Sequence, residues 1–187
     1  MEPEPQRQCV IPIHKPTPRE LAFFFSSGIL VSIPFALFFS QLYTLVPTAL
    51  AVVIFAPFIE ELAKVFPLFY RHGETERTYV TLGVLIGLGF GISEFVLYVF
   101  FQGVSPVARF PGIIFHASSA AITAYGIAKK NPLPYYLLSV GLHIANNFFA
   151  LSGDIILGVF AELLVLISVY LLAWRLYHKT SKDKIVV

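Results

Sequence analysis

Charged residues are scarce in this chain of 187 residues, because 13% of the side chains are charged and 57% are hydrophobic. A water-soluble domain carries about 25% charged and about 45–50% apolar residues, so this chain has too little charge to solvate a folded surface. The same composition excludes intrinsic disorder and collagen-like repeats. Cysteine is nearly absent, and the single Cys9 excludes an intramolecular disulfide framework. These absences indicate a protein that crosses a membrane several times.

Six apolar stretches are long enough to cross a bilayer, for which a helix needs about 20 residues. They cover residues 21–43, 45–69, 79–101, 110–128, 134–151 and 155–177. The sequence therefore predicts an all-α fold, a polytopic bundle of about six transmembrane helices within residues 20–178. Residues 1–19, which are rich in proline, are predicted to form a flexible cytoplasmic tail, and residues 179–187 a basic cytoplasmic tail.

The positions of Lys and Arg predict how these helices are oriented. Of the 13 basic residues, all except Arg109 and Lys64 lie before the first stretch, after the second, after the fourth, or at and beyond the end of the sixth. Both termini are therefore predicted to be cytoplasmic, in a multi-pass protein of the cell membrane. The small net charge of +2 follows from this asymmetry and does not indicate nucleic-acid binding.

Three glycines recur every four residues in the third stretch, at Gly83, Gly87 and Gly91. Small residues at this spacing allow another helix to approach closely. The stripe is also a candidate surface for a homo-oligomer.

Ionisable groups inside a membrane helix cost about 2.5–3.5 kcal/mol each on insertion scales, and they often mark functional sites. Four of the six stretches nevertheless place polar groups, all but one of them ionisable, at similar depth: Glu60, Glu61, Lys64, Glu94, His116, His143 and Asn147. A rise of about 1.5 Å per residue places them in one layer near the middle of the bilayer. Each group alone is ordinarily a structural ion pair or a hydrogen bond between helices, but their common depth favours a single functional site.

Spacing within each helix also predicts shared faces. Glu60 and Lys64 are four residues apart, as are His143 and Asn147, so each pair lies one turn apart on one side of a helix. Glu61 is three residues from Lys64 and also within reach, so Lys64 can neutralise one carboxylate, and one of the two adjacent glutamates is expected to keep a proton. Carboxylates, histidines and an amide together are typical of a hydrolytic or metal site.

These residues also carry the resemblance to a known family. The run EELAK, which begins at Glu60, resembles the EExxK motif of PrsW-type intramembrane proteases, a family related to the membrane-embedded CAAX prenyl endopeptidases. The run FGISE from Phe90, the lone His116, and the run HIANN from His143 resemble the later motifs, in matching order over residues 55–150. The CAAX branch has Arg one residue later in the first motif and His in place of Glu94, so a prenylated substrate is disfavoured.

The resemblance implies an enzyme that hydrolyses a peptide bond of a membrane-anchored protein within the lipid bilayer. A carboxylate of Glu60 or Glu61 would take a proton from water that His116 or His143 holds. Asn147 and a histidine would stabilise the oxyanion.

The remaining polar groups would support this chemistry. Lys64, Glu94 and Phe90 are predicted to assist the catalytic residues. Glu94, His116 and His143 could supply the two histidines and one glutamate that hold a catalytic zinc. The chain has no HExxH motif, so the proposed zinc depends on the resemblance and on the type of ligand.

Two other classes of membrane protein fit part of the pattern. Carboxylates and histidines near the middle of the bilayer also form the relays of proton- or ion-coupled transporters. Against this class, the sequence shows no internal repeat. A non-catalytic scaffold could bind a partner's helix through the glycine stripe, but a scaffold has no need of the glutamates and histidines. Cleavage of a membrane-anchored peptide without ion flux distinguishes the protease from both alternatives.

Overall fold

The computed structural model describes residues 13–42, 45–70, 75–151 and 155–186. Its helical segments are, in chain order, α1 (Pro18–Leu42), α2 (Thr48–Leu50), a π-helical turn (Ala51–Phe55), α3 (Ala56–Val65), a 3-10 turn (Phe66–Tyr70), α4 (Glu76–Val96), a second π-helical turn (Leu97–Phe101), α5 (Pro106–Ala128), α6 (Pro132–Ala150) and α7 (Ile155–His178). Within the described ranges the extended backbone amounts to one isolated bridge, so the all-α prediction is confirmed. Cys9 and Arg71 lie outside these ranges.

The first helix begins at a capping box. The backbone N–H of Thr17 donates to Glu20 Oε2 at 2.7 Å, and the N–H of Glu20 donates to Thr17 Oγ1 at 3.3 Å. Pro18 takes the first helical position, where a missing N–H costs nothing. Helix α1 therefore starts close to the predicted boundary, while residues 1–12 of the predicted N-terminal tail lie outside the described part of the chain.

The second predicted stretch is helical but not one regular α-helix. It changes from α to π at Ala51 and back to α at Ala56. Pro57 lies just after this change, and its ring lacks an N–H and clashes with the carbonyl one turn earlier in a regular α-helix. Widening to a π-helical turn relieves that clash.

Three of the described helices are long and apolar enough to cross a membrane: Glu76–Phe101, Pro106–Ala128 and Ile156–His178. This finding supports the coarse prediction of a helical membrane protein. The number of spans and the orientation of the termini stay predictions.

The glycine stripe packs against α5 of the same chain. A Cβ atom added to Gly87 would overlap the backbone carbonyl oxygen of His116, and one added to Gly83 would overlap the Ala124 side chain. The predicted close approach of a helix is therefore found, with α5 as the neighbour. Because α5 covers the stripe, a second copy of the chain cannot associate through these glycines unless it displaces α5, which corrects the predicted oligomer surface.

Residues 179–186, predicted as a basic tail, pack against the start of α4. The backbone N–H groups of Glu76 and Arg77 donate to the carbonyls of Lys184 and Ser181, both at 3.0 Å. The buried Glu76 carboxylate also pairs with Lys184 Nζ at 3.3 Å and with Lys129 Nζ at 2.6 Å. Charge pairing and backbone hydrogen bonds thus hold this segment to the helical bundle.

Candidate functional site

The predicted site residues surround one cavity of about 450 Å³ between α3, α4, α5 and α6. Six of them line it: Glu60, Phe90, Glu94, His116, His143 and Asn147. Glu61 and Lys64 lie behind this wall, and neither side chain is exposed. The four helices therefore bring together the polar groups for which the sequence predicted a common depth.

Glu61 is an anchored, fully buried carboxylate. Its Oε1 atom accepts three hydrogen bonds, from Lys64 Nζ at 2.6 Å, His143 Nδ1 at 2.8 Å and Ser119 Oγ at 3.1 Å. Lys64 balances its negative charge, so the predicted neutralisation applies to Glu61. Because this carboxylate holds residues from three helices and does not line the cavity, its geometry suits positioning better than proton transfer.

Lys64 determines the proton position on His116. Its Nζ atom lies 2.8 Å from His116 Nδ1. An ammonium group only donates hydrogen bonds, so Nδ1 accepts and the ring proton lies on Nε2. His116 Nε2 in turn lies 2.7 Å from Glu94 Oε2, which accepts that proton's hydrogen bond. His116 therefore carries its N–H on Nε2, where Glu94, which also lines the cavity, is its acceptor.

His143 presents a hydrogen-bond acceptor, where His116 has a donor. Its Nδ1 donates to Glu61, so its Nε2 carries a lone pair. That Nε2 atom lies 3.8 Å from Glu60 Oε2. Among the described residues, this buried Glu60 oxygen has no hydrogen-bond partner. A buried acceptor without a donor is unfavourable and indicates a position for water, an ion or a substrate group.

A metal ion could be held by Glu60, His116 and His143, which each offer one ligand atom within 4.8 Å of the others. This set differs from the predicted one, because Glu60 takes the place of Glu94. Glu94 Oε2 is already bonded to His116. The unpartnered Glu60 oxygen and the His143 lone pair suit a cation, whereas His116 could bind one through Nε2 only after losing the proton that Lys64 holds there.

Two phenylalanines form the apolar walls around the histidines. The Phe90 ring lies 5.1 Å from the His116 ring and 5.1 Å from Lys64 Nζ, measured to its centroid. The Phe115 ring lies 5.1 Å from the His143 ring. Phe90, which the sequence predicted as a supporting residue, therefore packs against His116 and Lys64, while Phe115 was not predicted.

Arg109 is a site residue that the sequence analysis missed. Its Nη2 atom lies 3.4 Å from Glu94 Oε2, and its guanidinium carbon lies 3.8 Å from the centroid of the Tyr98 ring. Helix α5 begins at Pro106, four residues before the predicted stretch, so Arg109 belongs to the helix that carries His116. Seven residues separate the two, which puts them on one face, and that spacing could have revealed Arg109.

A serine within a membrane helix is expected from sequence alone to serve in helix packing, and Ser119 is such a residue. Its hydroxyl instead joins the buried network, because it donates to Glu61 Oε1 and lies 3.3 Å from Lys64 Nζ. Its position three residues after His116 places it on the inward face of α5. The sequence signal was present in that spacing.

Asn147 lines the cavity but also makes a contact outside the charged cluster. Its Nδ2 atom donates to the backbone carbonyl oxygen of Val52 at 3.0 Å, and its Oδ1 atom accepts from Asn146 at 3.4 Å. The predicted oxyanion donor is therefore bonded to the π-helical turn that precedes α3.

Comparisons with known proteins add no relative, because no protein family, no curated protein and no solved structure matches this chain. The interpretation of the site therefore depends on its geometry and on the motif resemblance.

Proposed function

We propose that the chain is an intramembrane endopeptidase of the PrsW type, a hydrolase that cleaves a peptide bond of a membrane-anchored protein. The observation that carries this proposal is that Glu60 lines the cavity with a buried Oε2 atom, which lies 3.8 Å from His143 Nε2 and has no hydrogen-bond partner among the described residues. A general base needs such a carboxylate within reach of a water molecule. Six transmembrane helices with both termini in the cytoplasm would place the site inside the cell membrane.

The groups around Glu60 could bind a water molecule between them. Glu60 Oε2 and His143 Nε2 face each other across 3.8 Å, and both can accept a hydrogen bond from one water molecule. Water bound between them gives a proton to Glu60 while its oxygen attacks the peptide carbonyl carbon. The new C–O bond forms as the carbonyl oxygen becomes an oxyanion.

The second half of the reaction returns the proton. Glu60 passes it to the leaving amide nitrogen as the C–N bond breaks, so one water is consumed and Glu60 ends ionised. Lys64 holds the proton of His116 on Nε2, and this N–H would turn from Glu94 Oε2, its acceptor in this structure, to the oxyanion as charge develops there. Glu61 acts through His143, whose orientation it sets.

Two histidines and a glutamate are ligands typical of zinc, and the residues that would hold it are Glu60, His143 and, once its Nε2 has lost its proton, His116. Bound there, it would polarise the carbonyl and activate water. Metal analysis of the purified protein, and cleavage before and after dialysis against a chelator, distinguish a metallopeptidase from one that works through its own side chains.

The test is cleavage of single-span, fluorogenic peptides by the purified protein in detergent micelles. We expect wild-type protein to cleave at least one of a panel of such peptides. Glu60→Gln should lose at least about 10²-fold in turnover, because Gln cannot accept the proton. Asp183→Asn, which changes an exposed carboxylate outside the cavity, is the matched control and should keep full activity. Wild-type turnover by Glu60→Gln would contradict the proposal.

One observation favours a transporter as the second candidate. A continuous chain of hydrogen bonds runs from His143 through Glu61, Lys64 and His116 to Glu94. Such a chain can relay protons. Proton flux across liposomes that contain the protein, together with no peptide cleavage, would favour this function instead.

A further inference from the structure

Asn147 makes a contact that the hydrolytic cycle does not need. Its side-chain amide donates to the backbone carbonyl oxygen of Val52, which is 95 residues earlier in the chain. Its own oxygen accepts from Asn146. Both polar atoms of the Asn147 side chain are therefore hydrogen-bonded within the protein. The Val52 carbonyl accepts from a side chain, although it lies within a helical turn.

Pro57 explains this partner. In a regular α-helix the Val52 carbonyl would accept from the N–H of Ala56, but that N–H bonds to Ala51 because the turn is π-helical. The next donor in π-helical geometry is residue 57, and proline has no N–H. The Val52 carbonyl thus loses its usual donors, and the Asn147 amide replaces them.

This hydrogen bond joins the two chain segments that carry the proposed base and its histidine. His143 lies one helical turn before Asn147 on α6, and Glu60 lies three residues after Pro57 on α3. The bond from Asn147 to the π-helical turn therefore ties α6 to the start of α3. The Glu60 Oε2 to His143 Nε2 distance of 3.8 Å lies between these two tied segments.

We propose that Asn147 is a positioning residue, which sets the spacing between Glu60 and His143 by supplying the hydrogen-bond donor that Pro57 lacks. This inference rests on the proposed hydrolase function. It assigns Asn147 a role different from the oxyanion donor that the family resemblance implies. An oxyanion donor acts on the substrate, whereas this amide acts on the backbone of its own protein.

Restoring a hydrogen-bond donor for the Val52 carbonyl at position 57 distinguishes a positioning role of Asn147 from an oxyanion role. Asn147→Ala removes the amide, and we expect a loss of about 10²-fold in turnover, the size that a misplacement of about 1 Å produces. Adding Pro57→Ala restores an N–H at position 57, one that can bond to the Val52 carbonyl. The double variant should recover most of the lost turnover and of the lost unfolding temperature.

The control is a second proline within a helix. Pro34 lies inside α1, outside the cavity wall, so Pro34→Ala added to Asn147→Ala should recover nothing. If Pro57→Ala restores the unfolding temperature but not the turnover, Asn147 acts on the substrate and the positioning role is wrong. Wild-type turnover by Asn147→Ala alone would overturn it as well.

A cross-linking arm tests the spacing without any need for cleavage. Glu60→Cys and His143→Cys, in a Cys9→Ser background, are joined by a short bismaleimide. We expect Asn147→Ala to lower the cross-linking yield several-fold and Pro57→Ala to restore it. Equal yields in all three proteins would refute the positioning role. If no peptide is cleaved but the yields change as expected, the hydrolase proposal fails while Asn147 still sets the spacing.

Discussion

Lys64 Nζ lies 2.8 Å from His116 Nδ1 in a place where both side chains are buried. The contact determines which nitrogen of the ring carries the proton, because an ammonium group cannot accept a hydrogen bond. The same ammonium lies 2.6 Å from Glu61 Oε1. The Lys64 ammonium therefore balances the charge of the Glu61 carboxylate and fixes the ring proton of His116 on Nε2.

Replacing Lys64 by Met leaves Glu61 buried without its counter-ion. We expect Lys64→Met to lower the free energy of unfolding by about 3–5 kcal/mol, as the removal of one partner of a buried ion pair does. Adding Glu61→Gln removes the unpaired charge and should recover part of that loss. Unfolding in mixed micelles measures both variants, and an unchanged stability of Lys64→Met would contradict the buried pair.

Replacing Glu60 is expected to lower turnover, and replacing Glu61 is expected to lower stability. Glu60→Gln should lower turnover by at least about 10²-fold. It should leave the unfolding temperature within the range of wild type, since its Oε2 atom has no hydrogen-bond partner among the described residues. Glu61→Gln should lower stability by about 1–3 kcal/mol, because its Oε1 atom accepts three hydrogen bonds. Measuring both properties on both variants tests the division of roles. The reverse pattern would assign the proton transfer to Glu61.

The contact between α4 and α5 predicts a difference between two glycines. Gly87→Ala should destabilise the protein by about 1–3 kcal/mol, because the added Cβ meets the backbone of α5 at His116 and cannot be accommodated by a side-chain shift. Gly141 on α6 has nothing within 4 Å of an added Cβ. Gly141→Ala should therefore be neutral or stabilising by up to about 1 kcal/mol, through helix propensity. Equal effects of the two variants would show that α4 and α5 do not approach closely.

The C-terminal segment is expected to detach when Glu76 loses its charge. Glu76→Gln weakens the pairs with Lys129 and Lys184, and it leaves the N–H of Ser181 with a weaker acceptor. Limited proteolysis should then cut after residue 179 faster than in wild type. Lys182→Gln, which changes an exposed basic residue of the same segment, serves as the control. Cutting at an unchanged rate in Glu76→Gln would mean that the backbone bonds alone hold the segment.

The proposed orientation predicts the location of inserted reporters. A reporter fused at Lys130, after α5, should read as cytoplasmic, and one inserted at Gly103, in the loop before α5, as external. The physical reason is the bias of Lys and Arg towards the side of the termini. A reporter activity assay in intact cells measures both. An external reading at Lys130 would overturn the six-span topology.

The amino-acid sequence by itself determined the helical class and the set of polar groups. Long apolar stretches leave the backbone no better choice than helices, and the ends of those stretches fall within a few residues of the observed helix ends. Spacing of three and four residues also predicted the pairing of Lys64 with a glutamate. These features are local, because each depends on residues within one or two turns of a helix.

Only the tertiary structure decided which polar groups line the cavity and which belong to the buried network. Glu60 and Glu61 are neighbours in the chain, but successive side chains on a helix point about 100° apart, so one faces the cavity and the other the buried network. The rotation of α3 about its axis depends on how it packs against α5 and α6, which its own residues do not reveal. The use of Glu60 in place of Glu94 as the carboxylate near both histidines has the same origin.

Asn147 shows the limit of sequence reasoning most clearly. Its spacing from His143 is correct for a shared face, yet its partner is a carbonyl 95 residues away that lost its own donor to Pro57. The glycine stripe is similar, since the sequence predicts a close neighbour for α4 but not that α5 fills the place. Contacts between distant segments form when helices pack together, and that packing depends on the shapes of all their faces at once.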